Sequence, residues 1–166
     1  MFENQKHLTS AQKKLRRLNR WLARKQKGSQ NWGKAKRRLA RLHLRIANLR
    51  GDAIHKLTTR MTEKASIIAL ETLNVVGMLK NQKLARAIAD ASFGEIARQL
   101  TYKAQQVVLV APFYPSSKTC NRCGAVNREL TLADRTWVCP VCHSLLNRDL
   151  NAARNIRAEG MRLVGA

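Results

Sequence analysis

Four cysteines in two pairs restrict the fold of this 166-residue chain more than any other feature. Two residues separate Cys120 from Cys123 and Cys139 from Cys142, and fifteen residues lie between the pairs. This spacing is typical of a zinc ribbon, in which two short hairpins each supply two thiolates to one tetrahedral Zn²⁺. Because all four ligands are thiolates, no position is left for water, and the zinc would be structural. We therefore predict a zinc ribbon over residues 112–146.

The four thiols have one alternative interpretation, a disulfide or redox role. No apolar leader is visible at the N-terminus, which indicates a reducing cytoplasmic compartment where thiols and metal sites are commoner than disulfides. His143 directly follows the second pair and is interpreted as a surface histidine, with a substitute zinc ligand as the alternative. The sequence contains no run of 18 apolar residues, so it predicts no membrane span.

The charge of the chain favours a polyanionic partner. Its 32 Lys and Arg against 10 Asp and Glu give a formal net charge of +22, which would destabilise a compact monomer by self-repulsion. Residues 1–62 hold 18 bases and two acids, a net charge of +16 (18 − 2), so the composition divides the chain near residue 62. We expect nucleic acid as the partner, with an anionic membrane surface as the alternative. Nothing in the sequence indicates a small-molecule substrate.

The basic segment 1–62 is predicted to form an antiparallel helical hairpin. Two apolar stripes with alternating steps of three and four residues, on either side of Gly28-Ser29, indicate coiled-coil-like packing. The stripes consist of Leu8, Ala11, Leu15, Leu18 and Leu22, then Ala35, Leu39, Leu42, Ile46, Leu49 and Ala53. The charges between them are nearly all positive and repel one another, so nucleic-acid contact is preferred to a merely solvated face. The contact residues predicted are Lys13, Lys14, Arg16, Arg17, Arg20, Arg24, Arg37, Arg38, Arg41 and Arg45.

Residues 63–111 show the pattern of a βαβ unit. Short apolar runs at 66–71 and 107–110 predict two strands of a parallel sheet, each buried on both faces. Ser92-Phe93-Gly94-Glu95 has the form of a capping box that opens the intervening helix, and Asp90 is assigned to the turn before it. A right-handed crossover is expected, which places the chain in the α/β class.

Two acidic residues are candidates for a metal-dependent catalytic site. Glu71 ends the first predicted strand, at the carboxyl edge where the crevices of open α/β sheets lie, although an ordinary strand-end charge is the alternative. Asp149 opens a last helix predicted over 148–162, where the helix dipole alone would favour an acid. Two-metal phosphoryl transfer usually uses three or more carboxylates, and no convincing third exists, since Asp134 is interpreted as structural. The apolar face expected for that helix is Leu150, Ala153, Ile156 and Met161.

Four motifs in a fixed order carry a resemblance to a known family. They are Leu70-Glu71-Thr72-Leu73-Asn74-Val75, then Pro115-Ser116-Ser117-Lys118-Thr119-Cys120 with Cys123-Gly124, then Asp134-Arg135-Thr136-Trp137 before Cys139-Pro140, and last Asn147-Arg148-Asp149-Leu150-Asn151-Ala152-Ala153-Arg154-Asn155-Ile156. This order closely resembles the OrfB/TnpB proteins of bacterial and archaeal insertion sequences, known as transposases. The resemblance covers almost the whole chain, including Phe2-Glu3-Asn4 and the basic hairpin.

The resemblance implies a partial RNase H-like (RuvC-type) fold with a basic helical hairpin, an inserted four-cysteine zinc ribbon and a C-terminal helix within 147–166. In that family an RNA derived from the transposon guides cleavage of DNA, and Mg²⁺ is expected in intact relatives. Glu71 corresponds to the second and Asp149 to the third of the family's three catalytic acids. The first acid, normally in a Gly-Val-Asp-Leu-Gly-like strand, has no counterpart here, and the link near Gln105-Gln106 is shorter than the family pattern.

Three functions therefore compete for this chain. The first is an RNA-guided, metal-dependent DNA endonuclease, the second a catalytically inactive zinc-ribbon fragment that binds nucleic acid, and the third a partner-binding zinc protein with an incidental basic hairpin. The net charge disfavours the third. The absent first acid separates the other two, and we expect a truncated or decayed family copy without nuclease activity of its own.

Overall fold

The computed structural model describes residues 7–131 and 133–165, so Phe2-Glu3-Asn4 lies outside the described part. Two compact units are present: Met1–Met61 with Asn74–Gln99, in their described residues, and Thr62–Leu73 with Leu100–Ala166. The division into segments at 62, 111 and 146 follows sequence motifs and stays a prediction. The elements are α1 (His7–Ala23), α2 (Gln30–Lys64), β1 (Ile67–Glu71), α3 (Val75–Leu79), α4 (Ala85–Ala91), α5 (Phe93–Lys103), β2 (Gln106–Val110), β3 (Thr136–Val138), β4 (Leu145–Asn147) and α6 (Arg148–Val164).

The two apolar stripes pack together as the sequence predicts. Leu15 of α1 is buried with Leu42 and Ile46 of α2, and the flanking members of both stripes pack against this cluster. Gly28 adopts the left-handed backbone, with φ at 85°, which lets the chain reverse between the helices. Ser29 then accepts a hydrogen bond from the Trp32 N–H (3.1 Å), the interaction of a helix N-cap.

The stripe prediction is wrong beyond Ile46, because Leu49 is exposed. The buried positions are instead Ile54 and Thr58, at steps of four. In this part of α2 the helix packs on the later helices of the same unit. The Thr58 hydroxyl donates to Gln99 Oε1 (3.0 Å), and Arg50 Nη1 donates to the carbonyl of Ala89 (2.7 Å).

The sequence-based assignment of Asp90 to the turn before α5 is wrong. Asp90 lies inside α4, is only 5% exposed, and accepts hydrogen bonds from the backbone N–H groups of Leu8 (3.1 Å) and Thr9 (3.3 Å). A carboxylate near the start of a helix satisfies amides that have no partner within the helix. Asp90 therefore holds α1, and this structural use takes it out of consideration as a catalytic acid.

The predicted capping box does not form, although a helix does begin at Phe93. Ser92 has a left-handed backbone (φ 53°) and its hydroxyl donates to the Ala89 carbonyl (3.0 Å). Glu95 binds Arg98 and Gln99 instead of a helix cap, and the hydrogen bond from Arg98 is the main cause that lowers its pKa to about 2. Ser92 thus ends α4 as a left-handed C-cap.

Strands β1 and β2 pair in parallel, as predicted, with Ile67 opposite Gln106 and Glu71 opposite Val110. Helices connect them along the chain, and α6 packs on both strands. The prediction that both faces are buried is wrong, because Leu109 is 60% exposed. The sheet has two strands, so a layer on one face leaves the side chains of the other in water.

The buried face of α6 is polar rather than the predicted apolar one. Leu150 and Met161 are exposed, whereas Asn151, Asn155 and Gly160 are buried. The side chain of Asn147 caps the helix by accepting a hydrogen bond from the Leu150 N–H. Gly160 faces β1 so closely that a Cβ at this position would overlap the Cβ of Ala69. The residues that α6 buries are therefore those on the side that faces the rest of the unit, whether or not they are apolar.

Candidate metal centre and nucleic-acid interface

The two cysteine pairs lie on two backbone turns with the same hydrogen bonds. The N–H of Gly124 donates to the Cys120 carbonyl (2.9 Å), and the N–H of His143 donates to the Cys139 carbonyl (3.0 Å). Gly124 and His143 therefore hold equivalent positions, and both are left-handed, with φ of 77° and 54°. His143 is exposed, and the cluster of potential metal ligands consists of the four cysteines without it, which agrees with its interpretation as a surface histidine.

The four sulfur atoms converge at distances that suit one tetrahedral zinc ion. All four lie within 4.8 Å of one another, with Sγ–Sγ distances of 3.7 Å for Cys120–Cys142 and 3.6 Å for Cys123–Cys139. Zn–S bonds of about 2.3 Å place tetrahedral sulfurs roughly 3.8 Å apart. All four are free thiols, so a disulfide interpretation finds no support. The cluster is thus compatible with the predicted zinc site.

The pKa values of the cysteine thiols are shifted by their neighbours in the cluster. Hydrogen bonding with the side chain of Ser144 lowers the pKa of Cys142 to about 6, and the backbone of Cys142 lowers the pKa of Cys139. The Ala125 backbone acts in the same direction on Cys123, but desolvation and the three neighbouring sulfurs outweigh it and raise that pKa to about 12. Four thiolates at these distances need a bound cation to offset their repulsion, and metal binding releases the remaining protons.

A small apolar cluster packs against two of the four cysteines. Trp137 of β3 faces Leu146 of β4 across the antiparallel pair, and both are buried with Leu130 and the first cysteine of each pair. Asp134 accepts hydrogen bonds from the N–H (2.8 Å) and hydroxyl (2.7 Å) of Thr131, which confirms its structural role in the loop before β3. The hydrophobic cluster is small, as expected where a metal contributes much of the folding energy.

Two asparagines that the sequence interpretation missed connect α6 to the chain entering the ribbon. Asn151 Nδ2 donates to the Thr119 carbonyl (2.7 Å), and its Oδ1 accepts from the Asn121 N–H (2.9 Å). Asn155, one turn later, donates to the carbonyls of Ser116 (2.7 Å) and Thr119 (2.6 Å). The sequence signal that could have found them is the spacing of four residues between two asparagines. Asparagine is a poor helix former, and it is tolerated in a helix interior when its side chain makes hydrogen bonds elsewhere.

The two candidate catalytic acids are both at the surface of their unit. Glu71 is the exposed last residue of β1, and Asp149 lies in the first turn of α6 with its side chain 62% exposed. Asp149 has Arg135 (3.6 Å) and Arg148 (3.8 Å) as ion-pair partners. Among the residues that the structure describes, the four cysteines form a group of three or more potential metal ligands, and neither carboxylate belongs to it.

All ten basic residues predicted to contact nucleic acid are exposed on α1, α2 or the turn between them. Within the described ranges, the carboxylates that form ion pairs in this unit are those of Asp52 and Glu95, which bind Lys56 and Arg98. None of the ten has a carboxylate partner among the described residues. Such a surface attracts polyanions, with an affinity that falls as salt rises.

Comparison with known proteins gives the family. Residues 93–156 match the family described as "Cas12f1-like, TNB domain", and residues 1–82 match the OrfB_IS605 family, described as "Probable transposase". A putative RNA-guided DNA endonuclease of Streptomyces pristinaespiralis is 43% identical over 162 residues, which cover 95% of this chain and 40% of that protein. The putative RNA-guided DNA endonuclease InsQ of Escherichia coli K12 is 39% identical over 179 residues, with 96% and 44% covered.

The fold is also similar to a solved one. A chain in the cryo-EM structure of the Cas12f1-sgRNA-target DNA complex superposes with a TM-score of 0.57 at 22% identity, covering 90% of this chain and 41% of that chain. The protein is thus a mixed helix and strand structure of this type, and it belongs to the OrfB/TnpB family. It spans less than half the length of the relatives above. No described helix is both long and apolar enough to cross a membrane.

Proposed function

We propose that this chain forms the nucleic-acid-binding and zinc-ribbon part of a TnpB-type, RNA-guided DNA endonuclease with a RuvC-type core. The observation that carries the proposal is the pair of family matches, residues 1–82 to "Probable transposase" and residues 93–156 to "Cas12f1-like, TNB domain". It is combined with ten exposed bases that lack carboxylate partners in the described chain. DNA and a guide RNA are the partners proposed. A cytoplasmic location is proposed as well, because a four-cysteine metal site needs a reducing compartment.

The proposed cofactors have separate roles. Zn²⁺ on the four cysteines would stabilise the ribbon without taking part in chemistry, since no coordination position remains for water. Mg²⁺ would be held in part by Glu71 and Asp149, which correspond to two acids of the family's nuclease site. Carboxylate oxygens are the ligands that Mg²⁺ prefers, and its charge would stabilise the phosphoryl group under attack.

Charge reversal tests the nucleic-acid surface. Changing Arg16, Arg17, Arg37 and Arg38 to Glu should weaken binding to DNA of every sequence and flatten the salt dependence, because each phosphate contact contributes roughly −0.9 to the log–log salt slope on duplex DNA. The matched control reverses four exposed arginines of the other unit, Arg122, Arg128, Arg154 and Arg157, with the same change in net charge. Equal losses in both variants would show that net charge, and not the hairpin surface, determines binding.

A second candidate function is nucleic-acid binding without catalysis. It is favoured by the structural use of three other acids, since Asp90 holds α1, Asp134 binds Thr131, and Glu159 pairs with Arg162. With two carboxylates, the 166-residue chain alone should not cut DNA in Mg²⁺ or Mn²⁺. Cleavage that is lost in both Glu71→Gln and Asp149→Asn would contradict this expectation and assign the activity to the chain itself.

A further inference from the structure

Two tryptophans flank the turn of the hairpin and are not part of its core. Trp21 lies near the end of α1 and Trp32 near the start of α2, and each ring is only partly buried. The buried cluster between the helices is built from leucines and an isoleucine farther from the turn. The third tryptophan of the chain, Trp137, is buried in the ribbon. The exposed ring surface of Trp21 and Trp32 therefore needs an explanation other than packing of the hairpin core.

Two cations lie near the ring of Trp21 and one lies near the ring of Trp32. Lys25 Nζ lies 5.7 Å from the ring centroid of Trp21 and Arg38 Cζ lies 5.2 Å from it, while Lys36 Nζ lies 5.1 Å from the centroid of Trp32. These are cation–π distances, which give only a weak attraction at exposed sites. The sequence has no Asp or Glu between Glu3 and Asp52, so no acid of the hairpin turn competes for these cations.

We propose that Trp21 and Trp32 are a stacking platform for unpaired bases, which makes the hairpin turn a binding site for single-stranded nucleic acid. Flat aromatic faces bordered by cations are what a single strand requires: the rings stack on successive bases while the cations contact the phosphates between them. Bases inside a duplex are already stacked on one another and do not offer a free face. Because the contacts of Lys25, Lys36 and Arg38 with the rings are weak, a base can replace them on the ring faces.

This inference rests on the proposed nucleic-acid binding but concerns different atoms. Phosphate contacts contribute to the salt slope, whereas stacking contributes affinity without a change in that slope. A purely structural role for the two rings, holding α1 against α2, predicts no dependence of binding on the bases of the ligand. The two explanations therefore differ in a quantity that is measured directly.

The experiment compares ligands that differ only in their bases. Binding of the full chain to 20-nucleotide oligothymidylate, oligouridylate and an abasic 20-mer, and to a 20-base-pair duplex, is followed by fluorescence anisotropy at several salt concentrations. The wild-type chain should prefer the base-bearing strands to the abasic one. Trp21→Leu/Trp32→Leu should lose that preference, at least about fivefold in affinity for each ring removed, with an unchanged salt slope and unchanged duplex binding.

Two controls keep the test specific. Trp21→Phe/Trp32→Phe retains an aromatic face, fills most of the same space and should keep most of the preference. Arg41→Gln/Arg45→Gln, farther along α2, should instead weaken all four ligands and reduce the salt slope. Loss of affinity confined to oligouridylate or to oligothymidylate would support the platform and identify its strand as RNA or DNA.

Two results would overturn the inference. If the Leu variant keeps the wild-type preference for base-bearing strands, or if the wild-type chain binds abasic and base-bearing strands equally, the rings do not stack on bases. In either case salt-dependent binding by the wild-type chain would still support the proposed function. If the wild-type chain binds none of the four ligands, the proposed function fails together with the platform.

Discussion

The second cysteine turn of the ribbon has a histidine at a backbone position that favours glycine. His143 takes the position in the second cysteine turn that Gly124 takes in the first, and both have positive φ. A left-handed backbone costs a residue with a Cβ about 1–2 kcal/mol, a cost that glycine does not have. The second turn is therefore formed against a local preference, which its hydrogen bonds and a bound metal would offset.

Replacing His143 by glycine should make the ribbon more stable. The relief of backbone strain exceeds the extra entropy of a glycine in the unfolded chain, so we expect a net gain of about 0.5–1 kcal/mol in the free energy of unfolding. Urea unfolding followed by the fluorescence of Trp137, in a Trp21→Phe/Trp32→Phe background, measures it. Gly124→Ala is the matched control and should lose stability at the equivalent position. A less stable glycine variant would mean that the imidazole makes an interaction that outweighs the strain.

At the scale of helices and strands, local patterns were sufficient for some features and not for others. The paired β1 and β2 strands and the hairpin stripes up to Ile46 followed from runs and spacings of a few residues. The use of Asp90 did not, because the amides it binds lie 81 and 82 positions away. The exposure of Leu109 depends on how many strands and layers surround it, which no local run of residues records.

The packing of α6 on β1 predicts that a glycine-to-alanine substitution in this helix lowers stability instead of raising it. Glycine to alanine in a helix interior normally stabilises by about 0.5–1 kcal/mol. Gly160→Ala should instead destabilise by about 1–3 kcal/mol, because the new Cβ would overlap the side chain of Ala69. Adding Ala69→Gly should recover much of this loss. Both are measured by chemical denaturation of the full chain.

A second glycine provides the control for this packing. Gly51 lies inside α2, and a Cβ there would meet no atom within 4 Å. Gly51→Ala should therefore show the ordinary stabilisation of about 0.5–1 kcal/mol. If Gly160→Ala stabilises the protein as Gly51→Ala does, the close contact between α6 and β1 is wrong.

For the whole molecule, the four-cysteine cluster was predictable from short spacing, whereas the site proposed for Glu71 and Asp149 depends on long-range assembly and stays a prediction. The sequence predicts the cysteine cluster because two residues separate the cysteines of each pair, and this spacing occurs twice. Glu71 and Asp149 lie 78 positions apart (149 − 71). Their positions at a strand end and a helix start made them candidates, and only the family resemblance assigned them to one nuclease site. Spacing along the chain carries no information about groups that only a complete tertiary fold brings together.

The zinc site predicts that the two compact units respond differently to a chelator. The ligands all belong to the unit formed by Thr62–Leu73 and Leu100–Ala166, and structural zinc contributes about 10–16 kcal/mol of apparent binding energy. Removing zinc should therefore unfold the ribbon, while most of the helical signal of α1 and α2 persists. In a Trp21→Phe/Trp32→Phe background Trp137 reports on the ribbon alone, and circular dichroism reports on the helices.

The expected result is one zinc per chain by metal analysis and a red shift of Trp137 emission on chelation, reversed by added Zn²⁺. Cys120→Ser should show the shifted emission without a chelator, because three thiolates and a hydroxyl bind zinc more weakly than four thiolates. Less than half an equivalent of zinc in protein purified without chelators would contradict the site. Loss of the helical signal in step with the Trp137 shift would instead show that hairpin and ribbon unfold as one cooperative body, since separate units need not share a transition.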